Sequence, residues 1–234
     1  MSITTAQSAE EQIRYVEDFQ NLVSTVFQDK INAVCWKRKL VGNYKEIIDK
    51  ISLNENITSL EEDELLALEL SEDGQLAREI ILADLKLLKD YGASPVLNVI
   101  QNYDRDEENP IFPTDVYSFH VDQSPVPTDT FLCTYYGDAS EIIPNSQATQ
   151  KILIPEVLSD LRKLYNGNDE EFEDFLIEHF YDLHYQPNSG AIPTNLKQGN
   201  LWRLTVKYPG MKYLPCIHRA PIENSGKKRL LLIC

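Results

Sequence analysis

Pro95 divides this chain into two periodicities, and that division is the strongest constraint on its fold. Before it, apolar residues recur mostly at helical spacing; after it, short β-prone stretches follow one another between turn residues. Ser8-Ala9-Glu10-Glu11 reads as a capping box opening a helix, with Ile13, Val16, Phe19, Val23 and Val26 on one face. Residues 31–38 are short and β-prone and predict a strand at a sheet edge. Helical spacing returns over 43–50 and 59–91, where Ser59-Leu60-Glu61-Glu62 repeats the capping pattern and Gly92 supplies the stop. The acidic run Glu61–Glu64 then lies in a first turn, where negative charge suits the helix dipole. Beyond Pro95, strands are predicted over 96–103, 116–122, 130–136, 151–154, 201–208, 214–218 and 229–233, with a helical insert over 155–184 opened by Pro155. The expected fold is α+β: a helical portion, 1–94, packed on a C-terminal β barrel or sandwich, 95–234, as one structural unit.

Charge narrows the function. The 234 residues carry 22 basic and 37 acidic side chains, a net charge of −15. Such a surface disfavours non-specific contact with nucleic acid or anionic membranes. It leaves room for a small basic pocket inside an acidic shell. The first twenty residues hold no apolar run, so no signal peptide is expected, and no stretch reaches the roughly 18 apolar residues of a membrane span. Cys35, Cys133, Cys216 and Cys234 lack C-x-x-C spacing, which argues against a zinc knuckle or disulfide framework and fits a reducing cytoplasm. There is no Walker loop, no G-x-G-x-x-G and no Gly-x-Ser-x-Gly elbow.

Phe119-His120-Val121-Asp122 ends one predicted strand. Residues two apart on a strand face the same side, so His120 and Asp122 can share a cavity. A second histidine, His218, ends a late strand in Pro215-Cys216-Ile217-His218. Two histidines and one carboxylate with open positions make the facial triad of non-haem Fe(II) oxygenases. Arginine follows at Arg229, sharing a strand face with Leu231 and Ile233, where an anion pocket needs its single charge. In this order the residues resemble the Fe(II)/2-oxoglutarate-dependent oxygenases, whose fold is a double-stranded β-helix, jelly-roll or cupin-like. The resemblance implies Fe(II) held by His120, Asp122 and His218. It also implies 2-oxoglutarate as cosubstrate, with Arg229 on its distal carboxylate. The substrate would be a small molecule, peptide or protein side chain.

Trp36-Lys37-Arg38, Phe119-His120-Val121-Asp122, Cys133-Thr134-Tyr135-Tyr136-Gly137 and His218-Arg219-Ala220-Pro221 also resemble, block by block, an uncharacterised bacterial family of unknown function. Here Asp138-Ala139-Ser140 stands where that family carries a Gly-Thr pair, so the turn differs. Thr134 and Tyr136 share one strand face, Cys133 and Tyr135 the other; either face could hydrogen-bond a cosubstrate, and Thr134 and Tyr136 are taken as the cosubstrate pair. Lys37, Arg38 and Lys39 form a basic cluster that could serve an anion pocket. Arg203 and Arg219 are second-choice anion binders, while His179 and His184 read as surface or packing residues. Two other readings keep most of these residues. The same ligands could hold Zn(II), Ni(II) or iron in a cupin-like metal-binding protein serving metal homeostasis. The β domain could also be an interaction scaffold with no metal.

Overall fold

The fold is built on a seven-stranded sheet, seen in a computed structural model that describes residues 9–53, 55–222 and 226–234. In chain order the elements are β1 (Ile13–Val16), α1 (Phe19–Ser24), β2 (Ala33–Trp36), α2 (Tyr44–Lys50), β3 (Ile57–Leu60), α3 (Glu62–Ala67), α4 (Glu72–Tyr91) and β4 (Val96–Ile100). There follow β5 (Asp129–Tyr136), β6 (Glu141–Ile143), β7 (Ala148–Gln150), α5 (Pro155–Leu164), α6 (Phe172–Glu178), β8 (Tyr185–Pro187), β9 (Thr194–Asn195), β10 (Leu201–Thr205), β11 (Ile217–Arg219) and β12 (Arg229–Ile233). The large sheet runs β1-β2-β10-β5-β12-β4-β3. All its pairings are antiparallel except β1 with β2. A three-stranded sheet, β11-β6-β9, and the pair β7-β8 complete the β structure.

The large sheet buries both faces, which explains the unbroken apolar runs of β2 and β12. On one face lie α1 to α4. Ser71 caps α4 through its hydroxyl, which accepts from the Gly74 amide at 3.2 Å, and Gly92 closes it in the left-handed region at φ +97°. Ala77, Ile81, Leu85 and Leu88 then face Leu97, Val99, Cys133 and Leu232 of the sheet. On the opposite face, Leu132, Trp202, Leu204 and Leu231 pack against Ile142, Leu196 and Cys216 from the region of the small sheet. Helices, large sheet and small sheet make three layers. The sheets do not close into a barrel. Among the described residues no helix is long and apolar enough to cross a membrane.

The mixed α+β class agrees with expectation, but several boundaries differ for physical reasons. Ile13–Val16 is a strand, because it pairs in register with Ala33–Trp36. The helix begins only after Asp18, whose carboxylate accepts from the Asn21 amide at 2.7 Å. Ser8, half of the expected capping box, lies outside the described residues. With β1 outside it, β2 is an interior strand and no edge. The 59–91 helix starts later than expected. Ser59 belongs to β3, where its hydroxyl reaches Asn98 across the sheet at 2.9 Å, and Glu61 with Glu64 forms the capping box. In place of the 151–154 strand, Lys151–Leu153 make a 3-10 turn after β7. Of the 116–122 strand only isolated bridges at His120 exist. Three strands of the large sheet, β1, β2 and β3, come from before Pro95, so the helical portion and the β portion share one sheet.

Candidate metal centre

His120 and His218 are brought face to face by their own backbones. The His120 amide donates to the His218 carbonyl at 2.9 Å, and the His218 amide returns the bond at 2.9 Å. Residues so paired hold their side chains close, and the two imidazole centroids lie 4.5 Å apart. Asp122, two residues on, is tied down by the Lys207 amide, which donates to its carbonyl at 2.8 Å. Its Oδ1 stands 3.6 Å from His218 Nε2 and 4.0 Å from His120 Nε2. The three ligand atoms lie within 4.8 Å of one another.

Hydrogen bonds set what each group offers. His120 Nδ1 lies 2.7 Å from the Ser118 carbonyl, and His218 Nδ1 lies 3.2 Å from the Cys216 carbonyl. A carbonyl only accepts, so both Nδ1 atoms carry the proton and both Nε2 lone pairs face the centre. Thr130 donates its hydroxyl to Asp122 Oδ2 at 2.6 Å, leaving Oδ1 to the imidazoles. Burial, reinforced by neighbouring His218, pushes His120 down to about 4. Burial raises the Asp122 carboxyl, but His218, the Thr130 hydroxyl and His120 outweigh it, and the group ends below its usual range. A neutral imidazole beside an ionised carboxylate is the state a divalent metal takes.

The three residues line a cavity of about 120 Å³ whose other walls include Leu132, Ser140, Leu231 and Ile233. Arg229, 3% exposed, lies beside it. Its Nη2 donates to Thr134 Oγ1 and to Ser140 Oγ, each at 2.9 Å, and Ser140 is itself a wall of the cavity. No protein-family model, curated protein or solved structure matches this chain.

The structure separates the two predicted cosubstrate residues. Thr134 faces Arg229, but Tyr136 packs toward the helical layer and lines a different cavity with Lys45 and Ile48. A bulge between Leu230 and Leu231 breaks the alternation there, pairing Leu231 with Thr134 and Leu230 with Tyr136. Cys133 and Tyr135 also face the helices.

Arg38, Arg203 and Arg219 pair with carboxylates away from the cavity. Arg38 forks onto buried Asp84, which also accepts from the Tyr135 hydroxyl at 2.6 Å. Arg203 pairs with Asp129 and donates to the carbonyls of Leu22, Val23 and Thr25 at the end of α1. Arg219 bonds Glu141 at 2.7 Å. His179 is exposed, whereas His184 is buried with its ring centroid 5.7 Å from that of His120.

Three supporting groups carried no sequence prediction. Thr130 shares one face of β5 with Leu132 and Thr134, as strand alternation predicts, but nothing in the sequence marks it as the partner of Asp122. Ser140 and the Ser118 carbonyl lie in irregular backbone, where no periodicity points to them.

Proposed function

We propose that this chain is an Fe(II)/2-oxoglutarate-dependent oxygenase that hydroxylates or demethylates a small molecule, a peptide or a protein side chain. One observation carries the reading: two Nε2 atoms and one carboxylate oxygen converge on a cavity that shares Ser140 with buried Arg229. The large and small sheets, packed through Leu132, Trp202 and Leu231 against Ile142 and Cys216, support the double-stranded β-helix interpretation.

The donor set fits the metal. Ligands about 2.1 Å from a shared ion lie about 3 to 3.5 Å apart, so side-chain shifts of tenths of an ångström would bring His120, Asp122 and His218 onto one ion. The three would leave the remaining coordination positions open. Iron and 2-oxoglutarate, when bound, supply oxygen activation coupled to decarboxylation. The chain's own part is positional. Arg229 sets a guanidinium charge beside the cavity for a distal carboxylate, and Thr134 and Ser140, both accepting from Nη2, hold it there. Leu132, Leu231 and Ile233 keep water from the cavity walls. Asp122, 36% exposed against 14% and 12% for the two imidazoles, marks the open side from which a substrate approaches.

An anaerobic titration tests the reading. Metal-free protein receives Fe(II), then 2-oxoglutarate, and the visible charge-transfer band of the chelate is followed beside the Arg229→Ala variant. A band in the wild type that weakens in the variant is expected. Iron binding with no band would reassign the centre to a cupin-like Zn, Ni or Fe protein of metal homeostasis. Absence of metal binding would leave the sheets as an interaction scaffold.

A further inference from the structure

A second cavity, of about 790 Å³, opens where α4 ends and β5 begins. Phe131 of β5 reaches it from the sheet face that carries the helices, whereas the next residue, Leu132, turns to the metal centre. The two sites therefore lie on opposite faces of the sheet. Four aromatic side chains wall the second one. Tyr91 and Phe131 meet with centroids 5.7 Å apart and planes at 69°, and Tyr208 and Tyr213 meet at 6.3 Å and 81°. The face of an aromatic ring is electron-rich and attracts a cation.

The charged wall residues point the same way. Asp129 and Arg203 are an ion pair, but an uneven one. Arg203 has all three nitrogens engaged: Nε and Nη2 both bond Asp129 Oδ2 at 2.7 Å, and Nη1 donates to the carbonyls of Leu22, Val23 and Thr25. An anion would find no uncommitted cation in the wall. Asp129 takes both of its bonds on Oδ2, and Oδ1 accepts none among the described residues. Burial raises the Asp129 carboxyl above its ordinary range in spite of Arg203. Burial, the hydrogen bond with Tyr208 and the charge of Asp129 push the Tyr213 hydroxyl up to about 12. Negative charge at this wall is thus left under-compensated, beside rings that favour a cation. A methylated ammonium group meets both demands. It carries a full positive charge, it has no N–H that would require an acceptor, and its methyl groups pack on ring faces. The net charge of −15 draws cations toward the surface, and the volume falls within the range of small-molecule sites.

We propose that this cavity binds a small quaternary ammonium compound, its trimethylammonium head held by the tyrosine rings and the Asp129 carboxylate. The inference rests on neither the metal nor its ligands.

The probe is choline, titrated into the full, metal-free chain and followed by calorimetry and two-dimensional amide NMR. The amide signals of Gly92 and Thr128, which line the cavity, are expected to shift and saturate. Two comparators separate the terms: 3,3-dimethylbutan-1-ol has the shape of choline without the charge, and ethanolamine has the charge without the methyl groups. Each should bind about tenfold more weakly or not at all. Tyr208→Leu should weaken choline by a similar factor with the spectrum still dispersed, while Tyr208→Phe, which keeps the ring, should stay within about threefold of the wild type. The comparison of choline with the neutral alcohol needs no variant, so it decides even where Tyr208→Leu fails to fold. Equal affinity for the alcohol or for ethanolamine, a loss in Tyr208→Phe as large as in Tyr208→Leu, unchanged affinity in a folded Tyr208→Leu, or no saturation by choline would each overturn the proposal.

Discussion

A single hydroxyl, that of Thr130, decides which oxygen of Asp122 faces the two imidazoles. Thr130→Val removes the donor and keeps the shape. Partners of this kind tune metal affinity by about 10- to 100-fold, so competitive titration against a fluorescent chelator should show metal binding weakened by at least about tenfold, with an unchanged melting temperature of the metal-free protein to within a few degrees. Asp84 stands at the opposite extreme. It is 2% exposed and holds both Arg38 and Tyr135. Asp84→Ala would strand the guanidinium without its counter-ion, a loss of about 3–5 kcal/mol; urea unfolding should register it, and a loss below about 1 kcal/mol would show that Arg38 finds other partners. The identity of the proposed ligands was legible in the sequence, because His120, Asp122 and His218 are chemically distinctive. What holds them was not. Ser118, Cys216 and Thr130 act through carbonyls or a common hydroxyl, and only the folded backbone brings them within reach.

At the scale of elements, the turn from β5 to β6 places Arg229. Gly137 has φ +87°, and an added Cβ would meet the Lys228 carbonyl at 2.8 Å and Arg229 Cα at 3.0 Å. Gly137→Ala should therefore cost about 1–3 kcal/mol and displace Arg229. Chemical denaturation measures the first effect. The second would appear as a weaker charge-transfer band at equal iron loading; an undiminished band would separate Arg229 from the cosubstrate. This turn also shows why element boundaries were partly hidden. The stop of α4 was legible at Gly92, since a left-handed cap is local chemistry, but its start was not: the pattern sets a cap at Ser59 and passes over Ser71, which caps the helix. Nor was β1, since its apolar spacing also fits a helix and only pairing with β2, twenty residues later, makes it a strand. The same holds for Tyr136, whose side was set by a bulge that no local pattern marks.

For the whole molecule, burial of the thiols predicts an alkaline limit to stability. Burial, only partly offset by Lys37 for Cys35 and by Arg38 for Cys133, holds both thiols up to about 12 against an ordinary value of 9.0. Both are 0% exposed. Between those values the unfolded chain releases protons that the folded chain keeps, so the stability these groups contribute is complete below about pH 9 and declines as pH rises. At pH 10 each should withdraw about 1.4 kcal/mol. Urea midpoints at pH 8 and pH 10 would show the fall, and the fall should shrink in the Cys35→Ala/Cys133→Ala protein; an equal fall in both would assign it to other groups. The strand order carries a further consequence, for the speed of folding. β2 neighbours β10, β10 neighbours β5, β5 neighbours β12, and β12 neighbours β4. Each of these joins in the middle of the sheet requires closing a loop of dozens of residues before any cross-strand bond rewards it. Helices such as α4 can form early and alone, but the central sheet must assemble nearly all at once, making this a slow, cooperative folder whose unpaired inner strands are exposed longest to wrong partners.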